Sequence, residues 1–260
     1  MKLSELNPYT FRKLCPQIHA HTVAEALRRL IVYPQADMTQ RHLSVGSDFC
    51  RAVVNMGYLT QEQMNRAALR YRLGKSRDGG VIFWQIDQLG HVYDGKIMYY
   101  RPDCHRDHGH HPTWVSSELK QFYLSGSPKL AAELQFSHCL FGTYLIREKG
   151  GDVVVVESEK TAVIMSEIYS NYLWLAAGGM NELTATKLFP LKGRKIILMP
   201  DTDEHHQAYS NWYKVCQEAQ RLLGHPIYLS PFLEYNATSS QKSRKIDILD
   251  YYIESHKIPL

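Results

Sequence analysis

Four consecutive valines at 153–156 run straight into Glu157, and a helical pattern follows. An unbroken β-branched run of this kind reads as a strand buried on both faces, the usual habit of a parallel sheet. Ligands of open parallel sheets gather beyond the carboxyl ends of the strands, where Glu157 stands. A similar arrangement recurs downstream, where residues 195–200 (Lys-Ile-Ile-Leu-Met-Pro) lead into Asp201, Thr202 and Asp203. Between the two, the strand-like run 172–177 ends at Gly178 and Gly179. The order is strand–Glu–helix, strand–Gly-Gly–helix, strand–Asp-x-Asp–helix. Right-handed crossovers between parallel strands would open all three strand ends on one edge of the sheet.

In an extended segment, side chains two apart point the same way, so Asp201 and Asp203 are expected to face one point. Three carboxylates on one rim repel unless a cation joins them or one pKa rises. Hard divalent ions fit such oxygen ligands, and Mg²⁺ commonly takes one or two carboxylates plus substrate phosphates. The spacing therefore points to a Mg²⁺ site that handles phosphate. Replacing Asp201 or Asp203 by Asn should then raise stability in the absence of Mg²⁺. Gly178 and Gly179 suit a tight turn with positive φ or a close substrate approach.

This pattern resembles the toprim domain of bacterial-type primases, topoisomerases and some nucleases. The residues that carry the resemblance are Glu157, Gly178 or Gly179, and Asp201 with Asp203, over roughly 146–232. The wording Glu-Ser-Glu-Lys-Thr-Ala from Glu157 is most similar to primase-like toprim proteins of plasmids, phages and other mobile elements. The resemblance implies a primase-like nucleotidyltransferase acting on single-stranded DNA or other nucleic acid with nucleoside triphosphates, while the scattered cysteines read as the reduced thiols of a cytoplasmic protein. A helicase or replication protein is the partner it suggests. It casts Glu157 as general base or acid and as a metal ligand beside Asp201 and Asp203. Mg²⁺ is the expected cofactor, with Mn²⁺ able to substitute. Lys160, in the opening turn of the first toprim helix, and Lys96 would offset phosphate charge. Asp247 and Asp250 lie in a segment similar to a primase Asp-rich motif and are candidate accessory acids. Glu204, His205 and His206 stand where toprim proteins commonly have a glycine, and Glu204 is a further candidate acid. The alternatives are a toprim nuclease and a non-catalytic nucleic-acid-binding module of a replication or mobilisation complex.

The rest of the 260 residues predicts an N-terminal helical region (1–78), a β-rich basic subdomain (79–145), the toprim domain (146–232), and a linker with a C-terminal helix (233–260). A helical apolar face runs through 22–31. Thr60 and Gln63 form a capping box, and Gly74 is the expected helix end. Arg72 and Lys75 belong to a basic cluster suited to phosphate. Aromatic strands fill 81–100, with turns expected at Leu89-Gly90 and Asp94-Gly95. Ala208, Trp212, Val215, Ala219 and Leu222 fall at helical spacing as a core stripe closed by Gly224. Residues 230–243 read as a breaker and polar linker, and 245–253 as a short amphipathic helix.

A net charge of +4 is compatible with nucleic acid without arguing for it. Five scattered cysteines, with no Cys-x-x-Cys, exclude a disulfide framework, and no structural zinc is expected. The loop 101–113, with Cys104 and four histidines, reads as polar with adventitious metal affinity. No apolar run approaches membrane-spanning length.

Overall fold

The computed structural model describes residues 31–32, 46–76, 78–90, 92–118 and 138–256. The helical stretch expected at 22–31 lies outside them, apart from Ile31 in a short strand. The chain divides into two compact units, Met1–His138 and Cys139–Leu260. The architecture is mixed α/β, with an antiparallel sheet in the first unit and a helix-flanked parallel sheet in the second.

In the first unit, β1 (Ile31–Val32), β2 (Gly74–Ser76), β3 (Val81–Ile86), β4 (Val92–Met98) and β5 (Thr113–Trp114) pair antiparallel in sequence order. Helix α1 (Asp48–Asn55) is capped by Ser47, whose Oγ accepts from the Cys50 N–H. Its Phe49 ring meets Phe83 of β3 edge-on at 5.7 Å. Helix α2 (Gln61–Arg70) opens with the expected Thr60/Gln63 box. It ends earlier than Gly74. Arg72 takes the left-handed conformation (φ 50), and the Leu73 N–H reaches back to the Ala68 carbonyl. Gly74 instead begins β2, with Lys75 at its centre.

Asp94-Gly95 departs from its expected turn and lies within β4, opposite Gln85 and Trp84. The reason is steric. A Cβ on Gly95 would sit 2.8 Å from Trp84 ring carbons and 2.7 Å from Ile82 Cγ2, so the indole occupies the space a side chain would take. Gly74 flanks the same ring on the neighbouring strand, where a Cβ would come within 2.7 Å of Trp84 Nε1. The turn at Leu89-Gly90 stands, with Gly90 at φ 85.

In the second unit, β6 (Val153–Val156), β7 (Leu173–Ala176), β8 (Ile196–Leu198) and β9 (Tyr228–Leu229) pair parallel in the order β7-β6-β8-β9. All four valines of β6 are buried, as an unbroken β-branched run requires. Helix α3 (Glu159–Ile168) links β6 to β7, and α4 (Gln207–Leu223) links β8 to β9. Gly224 closes α4 in the left-handed conformation. The α4 core stripe is Ala208, Trp212, Cys216, Ala219 and Leu223, one register away from Val215 and Leu222 in its second half. Leu222 is 44% exposed. Two residues of near-equal hydropathy adjoin there, and packing beneath β9 decides between them.

The helix expected after Gly178-Gly179 is a turn followed by a 3-10 segment, Thr186–Leu191, which contains Pro190. The expected linker is ordered as two short helices, α5 (Phe232–Asn236) and α6 (Ser239–Ser243). Helix α7 (Ile248–Ser255) follows, packed beside α3. Among the described residues no helix is long and apolar enough to cross a membrane.

Candidate functional site: an acidic rim on the parallel sheet

The ends of β6, β7 and β8 are stitched together by main-chain bonds. The Gly178 N–H donates to the Glu157 carbonyl at 2.9 Å, and the Met199 N–H donates to Val155. Gly178 and Gly179 both have positive φ, 96° and 154°, which a side chain would strain. Glu157 is buried, and its Oε1 accepts the Asp201 N–H at 3.3 Å. The first and third motifs are therefore joined directly.

Asp247 belongs to the same group. It caps α7 through the Asp250 N–H (2.8 Å), and its other oxygen accepts the hydroxyl of Thr161 from α3. The Thr202 N–H donates to the carbonyl of Ile246 at 3.1 Å, bringing residue 247 beside the Asp-x-Asp loop. Burial pushes the Glu157 carboxyl from 4.5 up to about 7, with the charges of Asp247 and Asp203 adding to it. Burial also drives Asp201 well above the usual carboxylate range, reinforced by Glu157, Asp247 and Asp250 and opposed by Lys160. Five sequence-predicted acids and Lys160 thus share one electrostatic neighbourhood.

Asp203 behaves differently from Asp201. Burial would raise it, yet it is held below the ordinary value. The N–H groups of Ala208, Gln207 and His205 all donate to its carboxylate, and Lys245 lies nearby. Its side chain caps α4, whose own N-cap residue, His206, makes no side-chain cap. Asp203→Ala is expected to cost about 1–2 kcal/mol of stability by removing that cap, measured by denaturant unfolding. The expectation that Asn here would stabilise as at Asp201 does not carry over, because an amide accepts these N–H groups less well.

His206 stands at φ 53, a conformation in which glycine is cheaper. The imidazole is paired with Glu234 of α5, whose other oxygen accepts the Thr202 hydroxyl at 3.1 Å. That pairing accounts for a bulky residue in a glycine-like position. Glu204 is exposed on the same loop. Thr161, Thr202 and Lys245 went unnoticed in the sequence. Thr161 is an ordinary helical residue brought to the rim by its bond to Asp247, Thr202 lies inside the Asp-x-Asp loop, and Lys245 is a turn residue at φ 56.

Lys96, Lys75 and Arg72 lie in the first unit, on β4, on β2 and just after α2. In the loop 101–112, Cys104 is buried, while His105, His108, His110 and His111 are exposed. Among the described residues no three His, Cys, Asp or Glu side chains form a ready cage for a metal ion.

Fold and site together define an α/β protein with an acidic cluster at the carboxyl edge of a parallel sheet. Residues 47–202 match the family described as a domain of unknown function, DUF6371, and the chain belongs to that family. No curated protein matches the sequence. Similar solved structures include the primase fragment of the bacteriophage T7 primase-helicase, at 19% identity and a TM-score of 0.44, covering 74% of this chain and 66% of that one. The zinc-binding and RNA polymerase domains of the Aquifex aeolicus primase align at 13% identity and a TM-score of 0.44, covering 99% and 60%. A DnaG primase catalytic domain bound to ssDNA aligns at 13% and 0.41, covering 98% and 78%. The chain spans less than two thirds of the length of the first two structures.

Proposed function

We propose that this protein is a toprim-type, Mg²⁺-dependent enzyme acting on nucleic acid, a primase-like nucleotidyltransferase. The observation that carries the reading is Glu157, buried at the strand end beside Asp201 with its carboxyl raised to about 7. Without the ion this carboxyl can hold a proton near neutral pH, and binding of a divalent ion would release it. In this reading Glu157 would take a proton from an attacking hydroxyl or return one to a leaving oxygen.

The donor set suits Mg²⁺. Carboxylates whose charges push each other's pKa upward gain from a divalent ion, and Mg²⁺ asks for only one or two of them when phosphate oxygens complete its shell. Glu157 and Asp201 would hold it, with Asp247 supporting. Asp203 contributes chiefly by fixing the loop. Bound there, the ion would neutralise charge on a transferring phosphoryl group. Lys160, whose charge already opposes the rise of Asp201, would face the same phosphate.

A gel assay with single-stranded DNA, labelled nucleoside triphosphates and Mg²⁺ or Mn²⁺ tests this. The expected result is Glu157-dependent extension products. Glu157-dependent shortening of the DNA would replace the reading by a nuclease. Bound DNA with no reaction would replace it by a binding module.

A further inference from the structure

The loop after the Asp-x-Asp motif holds a histidine in a conformation that the fold would fill more easily with glycine. His206 stands at φ 53, and its N–H donates to the Asp203 carbonyl at 3.2 Å. Glycine takes that conformation without strain. Capping does not explain the imidazole, because the Asp203 carboxylate caps α4 and the His206 side chain makes no cap bond.

The ring is held from behind. Its Nδ1 pairs with Glu234 Oε2, and Glu234 Oε1 accepts the hydroxyl of the fully buried Thr202 at 3.1 Å. The Glu234 side chain is 11% exposed and that of His206 55%, so the carboxylate lies inside and the imidazole outside. An ionised carboxylate only accepts hydrogen bonds. Nδ1 therefore carries the proton, and Nε2 of the neutral ring presents a lone pair. No hydrogen bond reaches Nε2 among the described residues. Thr202 stands between Asp201 and Asp203, so a single carboxylate separates the imidazole from the acidic rim.

Backbone strain of this kind gathers at ligand sites. A carboxylate behind a histidine commonly fixes the tautomer and aims the far nitrogen at a ligand. A lone pair recognises a hydrogen-bond donor. Phosphate oxygens offer none, and Mg²⁺ takes oxygen ligands. On a nucleotide, the donors nearest the phosphates are the hydroxyls of the sugar. We propose that His206 is a specificity-determining residue whose Nε2 accepts a hydrogen bond from a ribose hydroxyl of a nucleotide bound at the rim. Glu234 is its positioning residue, acting through the ring. The inference rests on the nucleotide reading above and adds the group that reads the sugar.

Isothermal titration calorimetry with Mg²⁺ and the triphosphates of adenosine, 2′-deoxyadenosine and 3′-deoxyadenosine tests it. Removing the hydroxyl that His206 reads, at 2′ or at 3′, should weaken wild-type binding about tenfold, and removing the other should not. His206→Gly, which relaxes the left-handed backbone, should bind all three equally. It should hold the weaker deoxynucleotide as tightly as the wild type does, which shows that the site is still folded. Glu234→Gln should shrink the preference without abolishing binding. Should His206→Gly fail to fold, His206→Asn takes its place, since asparagine tolerates the same conformation. Equal wild-type affinities for the three nucleotides, or a variant at 206 that keeps the preference, would overturn the inference and leave the nucleotide reading standing. A wild-type protein that binds none of them would overturn both. A His206-dependent preference without Glu157-dependent extension products would support the inference and sink only the catalytic reading.

Discussion

Glu157→Gln is expected to do two opposite things: lower activity about 10²–10⁴-fold, the usual worth of a positioned acid or base, and raise stability in Mg²⁺-free buffer. The stability effect follows from proton linkage. The Glu157 carboxyl rises from 4.5 to about 7 on folding, so the folded state binds its proton more tightly than the unfolded state. Its contribution is fully present below about pH 4.5 and is lost as pH rises through about 7. Above that range the ionised, buried carboxylate costs about 3 kcal/mol, and glutamine removes most of that cost. The stabilisation by Glu157→Gln should therefore be large at about pH 8 and small at about pH 5, read from denaturant midpoints at both values. Asp201→Asn should behave alike, since burial and the same neighbours raise that carboxyl too. A pH-independent change would mean that the glutamate acts through packing instead of charge.

Gly95→Ala is expected to be among the most destabilising small substitutions in the first unit, at about 2–3 kcal/mol. The added methyl would meet Trp84 ring carbons at 2.8 Å and Ile82 Cγ2 at 2.7 Å, both on fully buried side chains. Trp84 has little room to swing aside, because Gly74 on the neighbouring strand lies near enough that a Cβ there would meet the indole Nε1 at 2.7 Å. Gly150→Ala is the control, since nothing lies within 4 Å of a Cβ there and its φ is not positive. Urea unfolding of the two variants should separate them clearly, and equal midpoints would refute the steric account.

The parallel sheet was legible because its signal is local. Val153–Val156 is too uniformly β-branched to be anything but a doubly buried strand, and it points Glu157 at an edge. The glycine turn was legible for the same reason, since Gly178 and Gly179 take φ values that other residues resist. The unlike behaviour of Asp201 and Asp203 was not legible. Period two puts both on one side of a strand, but strand geometry stops before them. The following residues curl back so that three N–H groups of the α4 entry close on Asp203. Asp94-Gly95 misled for a related reason. The pair has the composition of a turn, and only the ring of Trp84, eleven residues before Gly95, explains why a glycine is needed inside a strand. Asp247 was legible as an acid in a capped helix. Its arrival at the rim depends on Thr161, 86 residues away in sequence, which no local pattern encodes.

The central claim is that Glu157 and Asp201 form a cation site whose mutual repulsion the ion relieves. The most direct test is the thermal midpoint of the wild-type protein and of Asp201→Asn at about pH 8, each with and without Mg²⁺. The account predicts that Mg²⁺ raises the wild-type midpoint, that Asp201→Asn begins above the wild type without the ion, and that Mg²⁺ then leaves the variant unmoved. A wild-type midpoint indifferent to Mg²⁺ and Mn²⁺, or an equal rise in the variant, would contradict it.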